Sequence, residues 1–260
     1  MVQTRHTQSK AKPQKKFERT NTPFGYFGSK KKIALTLCKR LPPHNAWLEA
    51  FCGSAAVTLA KEPAPIEVIN DIDDQIVNLF EQLRKNPEKL CRLVSLTPYS
   101  RQELKRARSS KKPKNKLEKA RRFLVESMMA VNGVFGEERG GFSYSQSYAR
   151  ENREARVNRW YKLPDRISDV VERLRNVRVE NRDALKLLKD YINKPATLVY
   201  LDPPYLANRT NGYNKDAKDE KFHTELLKLA NKAKCMIFIS GYDNKLYRKM
   251  LSTQKGWSTK

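Results

Sequence analysis

A chain of 260 residues with 39% hydrophobic content is long enough for one large domain, or for a domain that carries an insertion. Its 53 Lys+Arg against 28 Asp+Glu leave a net charge of +25, an excess that repels itself in a compact fold and points to a polyanionic partner. No apolar run reaches the roughly 20 residues that cross a bilayer, the first residues lack a secretory signal, and four scattered cysteines with three scattered histidines argue against a disulfide framework or a metal site. A cytoplasmic protein with reduced thiols is the expectation, and charge alone does not separate DNA from RNA or an acidic membrane.

Residues 1–20 are polar and basic, too poor in apolar groups to offset ordering entropy, and are expected to form a disordered tail. Apolar spacing predicts a helix over 33–41, stopped at Pro42-Pro43. A strand over 46–51 runs into the small-residue turn Gly53-Ser54-Ala55-Ala56, and a short helix follows to Lys61. A second strand over 66–69 ends at Asn70-Asp71, and 74–83 has amphipathic helical spacing. From about 84 to 164 this rhythm breaks into helices. Residues 101–122 hold eleven Lys/Arg against two acids, and 117–131 reads as a helix with a strongly apolar face. The stretch 132–152, rich in Gly, Ser and Tyr, has a turn at 137–141 and reads as a hairpin or a mobile loop. Strand and helix alternate again from Asp165: helix 167–174, strand 177–179, helix 184–191, strand 197–201, helix 226–233, strand 235–240. The expectation is an α/β domain with a parallel sheet, residues 21–83 and 165–260, split by a basic, mainly helical insertion, 84–164, between its second and third strands.

The strongest local signal is Val199-Tyr200-Leu201-Asp202-Pro203-Pro204-Tyr205. A hydrophobic strand delivers an acid to its carboxyl end, where open α/β sheets bind ligands. Two prolines then fix the backbone and withhold two N–H donors, and an aromatic follows that can stack on a base. An exocyclic amine is a poor nucleophile because its lone pair is delocalised into the ring. Two aligned acceptors, the Asp202 carboxylate and the Pro203 carbonyl, favour a more tetrahedral and more nucleophilic nitrogen, with a flipped base held by Tyr205. Taken alone, the string is also what a strand ending in a Pro-Pro turn with a capping Asp looks like.

Read together, several segments resemble the Dam-like (D12 class) DNA adenine-N6 methyltransferases of the alpha-ordered group. Phe24-Gly25-Tyr26-Phe27-Gly28-Ser29-Lys30 is similar to the family's N-terminal motif. Glu49-Ala50-Phe51-Cys52-Gly53-Ser54-Ala55-Ala56-Val57 resembles its cofactor loop, Asn70-Asp71 its acidic ribose-binding position, and Asn181-Arg182-Asp183-Ala184 the segment that meets the cofactor's adenine. Phe222-His223 after the reaction motif also fits, and the match runs in the family's order from about Thr22 to Trp257. The resemblance implies a Rossmann-like S-adenosylmethionine-dependent methyltransferase sheet acting on double-stranded DNA, with a restriction endonuclease as a candidate partner. The donor's methyl sits on a sulfonium, so the chemistry calls for no metal.

The roles that follow put Asp202, Pro203, Pro204 and Tyr205 at the reaction centre, and Tyr26, Lys30, Phe51, Gly53, Asp71, Asp183 and Asp202 around the cofactor. For Lys30 a solvated surface lysine is the alternative, and for Asp183 the N-cap of the following helix. The insertion corresponds in position to the family's target-recognition region: its Lys/Arg would bind phosphates, while Asn132, Arg139, Ser145, Gln146 and Tyr148 are able to read base edges or fill the gap left by a flipped base. Two departures stand out. Ala55 occupies the place of the family's second glycine, and the sequence ends at Lys260, where the resemblance implies further strands. Methylation of cytosine N4 or of RNA adenine, and a non-catalytic DNA-binding protein that keeps the fold, are the competing readings.

Overall fold

A computed structural model of the protein describes residues 19–258, apart from 27, 112, 132, 135–139 and 207–216. The tail expected over 1–20 lies outside these residues except at its end, where Thr20 N–H donates to the Leu59 carbonyl at 3.1 Å. That bond ties residue 20 to the fold. Phe27, Asn132, Arg139 and most of the turn expected at 137–141 also lie outside the described residues.

Among the described residues seven strands are formed: β1 (Ala46–Glu49), β2 (Ile66–Asn70), β3 (Ala149–Arg150), β4 (Arg153–Glu154), β5 (Val177–Glu180), β6 (Thr197–Leu201) and β7 (Met236–Ile239). Five build one sheet in the order β5-β2-β1-β6-β7, every neighbouring pair parallel. β6, at Thr-Leu-Val-Tyr-Leu, is buried at each position, as a strand covered on both faces must be. The helices are α1 (Ala34–Cys38), α2 (Ala56–Ala60), α3 (Asp74–Lys85), α4 (Pro87–Ser95), α5 (Arg101–Ala107), α6 (Lys116–Met129), α7 (Ala155–Tyr161), α8 (Leu163–Arg173), α9 (Ala184–Tyr191), α10 (Ala217–Lys232) and α11 (Lys245–Met250).

Side-chain alternation sends Leu48, Val68, Val199 and Leu201 to one face, where they meet Leu187 and Leu188 of α9 and Leu226 of α10. Trp47 and Tyr200 point the other way, toward Val57 of α2. Ile69 joins a larger core with Phe24 and residues of α3, α4, α6 and α8. The helices of the insertion therefore share one core with the sheet. Several charged groups beside it are paired: Glu67 accepts from Lys61 Nζ at 2.7 Å and Arg173 Nη1 at 2.6 Å, and Arg121 reaches Glu103 at 2.8 Å and Glu118 at 2.7 Å.

Several elements differ from the sequence reading: the helix expected over 33–41 ends at Cys38, and the strand expected over 46–51 ends at Glu49. α8 begins at Leu163, because Pro164 sits in its first turn, where a missing N–H costs nothing. α10 begins nine residues before the predicted start, its early turns being built of strong helix formers such as Glu and Lys. The stretch 132–152 holds two pairings instead of one. Ala130 and Phe142 bridge antiparallel on either side of 137–141, while β3 and β4 form a small hairpin turning at Glu151-Asn152, both left-handed at φ 52° and 58°.

Candidate active site

The strand order reverses between β1 and β6: β2 and β5 lie on one side, β7 on the other. Ligands of open α/β sheets bind in the crevice outside the carboxyl ends at such a point. Ala50 N–H donates to the Tyr200 carbonyl at 3.1 Å, which keeps these two strand ends together. The loop after β1 and the Asp-Pro-Pro-Tyr segment after β6 leave from here.

On the β1 side the loop 50–55 is held by a set of buried side chains. Asn70, at the end of β2, donates through Nδ2 to the carbonyls of Ala50 and Arg182, both at 3.0 Å, and accepts from Arg182 N–H at 2.9 Å. One amide thus staples the ends of three neighbouring strands. Asp71 accepts from Gly53 N–H at 2.8 Å and from Asp73 N–H at 3.0 Å. Burial raises its pKa above the ordinary carboxylate value, and those two N–H groups pull it partly back. Glu49, buried at the end of β1, takes the N–H of Thr58 at 2.9 Å and also its hydroxyl, which in turn accepts from Trp47 Nε1 at 2.7 Å. With no cation against it in this bonding set, Glu49 is pushed up by burial to about 7.

Gly53 has φ 47°, and a Cβ added there would stand 2.8 Å from the Tyr26 ring. The left-handed backbone and the absent side chain are both needed for the ring to lie against the loop. Ala55 has φ 53° and ψ 37° as the residue before α2. This is the conformation a glycine adopts freely, which explains the glycine the resemblance leads one to expect; here a buried methyl accepts the strain instead. Ser29 Oγ lies 2.9 Å from Ser54 Oγ and joins the N-terminal motif to the loop. Phe51 meets Phe222 edge to face at 6.2 Å. Asp183 is exposed and caps α9 by accepting from Lys186 N–H at 2.9 Å, while Asn181 donates to the Asp71 carbonyl at 3.0 Å. The helix-cap alternative for Asp183 is therefore realised, at the same end of the sheet as Asp71.

On the β6 side both carboxylate oxygens of Asp202 are engaged. Lys30 Nζ lies 2.6 Å from Oδ2, and the Tyr205 hydroxyl donates to Oδ1 at 2.9 Å. Lys30 also donates to the Gly28 carbonyl at 3.1 Å and lies 5.0 Å from the centre of the Tyr205 ring. Its side chain is only 11% exposed, so it is not a solvated surface lysine. Burial raises the Asp202 pKa, opposed by Lys30 and by the Tyr205 hydroxyl. The two prolines differ. The Pro204 carbonyl accepts from His223 Nε2 at 2.9 Å, whereas among the described residues no donor is bonded to the Pro203 carbonyl. Since a carbonyl only accepts, Nε2 carries a proton in this contact, and Nδ1 lies 2.9 Å from the Tyr247 hydroxyl.

In the insertion, Arg101 lies 5.0 Å from the Phe142 ring centre and 4.8 Å from that of Tyr144. It lines a cavity of about 570 Å³ with Lys105, Arg108 and Phe142. Gln146 and Tyr148 are exposed, and Ser145 accepts from Tyr148 N–H at 3.1 Å. Not every cation of 101–122 faces solvent: Arg121 is buried against Glu103 and Glu118 and serves the fold.

The sequence reading passed over Glu49 and Asn70 as anchors, the His223–Tyr247 support under Pro204, and two exposed side chains at the crevice. Ile72 follows Asp71 directly and is 69% exposed. Tyr242, 68% exposed, meets the Tyr205 ring at 4.7 Å. An apolar residue straight after a strand-ending acid was a visible signal. Tyr242 carried none, since the β7 loop reaches Tyr205 only in three dimensions. Among the described residues no group of His, Cys, Asp and Glu is placed to hold a metal ion, none of the four cysteines is disulfide-bonded, and no helix is long and apolar enough to cross a membrane.

A parallel sheet with a strapped loop after β1, an acid after β2 and Asp-Pro-Pro-Tyr after β6 is the arrangement the resemblance leads one to expect. The sequence model of the D12 class N6 adenine-specific DNA methyltransferases matches residues 26–259, and the chain belongs to that family. Among individual proteins, it is similar to the Type II methyltransferase M1.LlaDCHI of Lactococcus lactis subsp. cremoris, 26% identical over 174 residues. That alignment covers 63% of this chain and 57% of the relative, so the chain spans little more than half of the relative's length.

Proposed function

We propose that this chain transfers a methyl group from S-adenosylmethionine to N6 of an adenine swung out of double-stranded DNA. The observation that carries the reading is Asp202, held at the switch point of the sheet between Lys30 and Tyr205, beside a Pro203 carbonyl to which no donor is bonded among the described residues. An amine with two hydrogens needs two acceptors, and the Asp202 carboxylate and Pro203 carbonyl supply them. To admit the amine, the Tyr205 hydroxyl gives up Asp202 Oδ1 and its ring takes the stacking position. The raised proton affinity of Asp202 suits it to receive the proton that the amine sheds. His223 holds the Pro204 carbonyl so that the segment keeps its shape while Tyr205 moves.

The loop is shaped for a close-lying ligand, because Gly53 leaves room that a Cβ would fill. Tyr26, Lys30, Phe51 and Gly53 would line the methionine end of S-adenosylmethionine, Asp71 the ribose and Asp183 the adenine edge. When bound, that group supplies a methyl already activated by its sulfonium. The insertion, 84–164, would present the target-recognition surface, with cations near Arg101 on phosphates and the 140–148 segment toward base edges. Since its relative is named a Type II methyltransferase, we set the chain in a restriction–modification context, in the cytoplasm, with a restriction endonuclease as a candidate partner.

Incubation with duplex DNA and methyl-labelled donor, followed by nucleoside analysis, tests the reading. Label in N6-methyladenine is expected, and Asp202→Ala is expected to abolish transfer with DNA affinity largely kept. Label in cytosine would favour the N4 reading, and failure to bind the donor would sink the enzyme reading altogether.

A further inference from the structure

Among the described residues several buried or half-buried cations face a carboxylate: Lys61 and Arg173 face Glu67, Arg108 faces Glu126, and Arg121 faces Glu103 and Glu118. One group does not. Arg159 of α7 and Arg166 of α8 are half-buried, and Arg166 Nη2 lies 3.4 Å from the Arg159 carbonyl. Lys31 is exposed and feels the charges of Arg166, Arg159 and the exposed Arg19. Among the described residues none of these four forms an ion pair. Burial, and then the charges of their neighbours, holds the pKa of Lys31, Arg159 and Arg166 below the ordinary values. Half-buried like charges with no counter-charge are costly to assemble, and an anion in reach would offset that cost.

The place of the cluster limits what that anion is. Lys31 follows Lys30, the residue paired with Asp202. Gly25 precedes Tyr26, the ring lying on Gly53, and a Cβ on Gly25 would stand 3.0 Å from Arg159 Nη2. The bare glycine thus lets a guanidinium come up against the segment that lines the crevice. Two arginines joined through the Arg166 contact to the Arg159 carbonyl, with the Lys31 charge felt by both, offer donors that suit the oxygens of a phosphodiester.

We propose that Lys31, Arg159 and Arg166 form a phosphate site at the edge of the crevice, which grips the DNA backbone close to the nucleotide whose base enters it. The proposal rests on the DNA methyltransferase reading above and adds to it the clamp on the displaced strand. Such a clamp would act on every sequence alike, because phosphate contacts position a duplex without reading it.

The test uses the full chain and a fluorescently labelled duplex of arbitrary sequence, titrated at several KCl concentrations. The double variant Arg159→Gln, Arg166→Gln is compared with wild type and with Lys189→Gln, Lys194→Gln. The control removes the same charge from exposed positions on or beside α9, on the opposite side of the sheet. Loss of one phosphate contact should make the slope of log affinity against log salt shallower by about 0.9. At low salt the cluster variant should bind roughly tenfold more weakly, with donor affinity unchanged and with melting temperature, measured without DNA, equal to wild type or higher. Unchanged slope and affinity in the cluster variant, a control that matches it, or a lowered melting temperature with normal binding would each overturn the site. If wild type itself binds no duplex, the DNA reading fails and the site with it; if wild type methylates DNA and the cluster variant binds normally, only the site fails.

Discussion

Gly53→Ala probes the contact on which the loop after β1 is built. The left-handed backbone at φ 47° would cost an alanine about 1–2 kcal/mol, of which roughly 0.5–1 kcal/mol returns because the unfolded chain is less free. The new Cβ would also stand 2.8 and 2.9 Å from two carbons of the Tyr26 ring, and forcing a buried group aside costs about 1–3 kcal/mol. A total loss of about 2–4 kcal/mol is expected, seen as a drop of several degrees in melting temperature and a lower urea midpoint. Because Tyr26 is the group that must move, the two positions should couple. In a Tyr26→Ala background the same change should cost only the backbone part, an interaction energy of about 1–3 kcal/mol in a double-mutant cycle. Calorimetric titration with S-adenosylmethionine should show weakened binding in Gly53→Ala. Additive stabilities together with unchanged donor affinity would refute the claim that the glycine exists to seat the ring.

Tyr242→Ala should raise KM for DNA several-fold with a smaller change in kcat, and Tyr242→Phe should restore it, since the ring edge against Tyr205 is what stacking needs; steady-state kinetics decides. Glu49 binds its proton near pH 7 when folded and near 4.5 when unfolded, so its contribution to stability is full below about 4.5 and is lost as pH rises through 7. Glu49→Gln should therefore flatten the fall in stability over that window, read by chemical denaturation at several pH values, with Asp71 and Asp202 contributing a remaining slope of the same sign. Glu67→Ala strands Lys61 and Arg173 and should cost about 3–5 kcal/mol in urea unfolding. A loss below about 1 kcal/mol would mean that solvent replaces the carboxylate.

The five strands of the parallel sheet, most helices and the α/β order were legible along the chain, because element type is a local property. A run such as 197–201 has one way to be buried, and a proline or small-residue cluster ends an element wherever it falls. The same locality exposed Asp202-Pro203-Pro204-Tyr205 and Asn70-Asp71 as strand ends carrying acids. What stayed hidden depends on distance across the fold. Lys30 and Asp202 are 172 positions apart, and only their contact removes the surface-lysine alternative. His223 under Pro204, Tyr242 on Tyr205 and the strain at Ala55 have no periodic trace either. The hairpin at Glu151-Asn152 escaped because its turn lacks the glycine that usually marks one. The charge shows the division most clearly. Composition alone called for a polyanion, since an excess of +25 needs a counter-charge somewhere. Which cations are matched inside the fold, as Arg121 and Arg173 are, and which, like Arg159 and Arg166, have no carboxylate against them among the described residues, was decided by packing, because an ion pair is a matter of a few ångströms that no spacing in the chain prescribes.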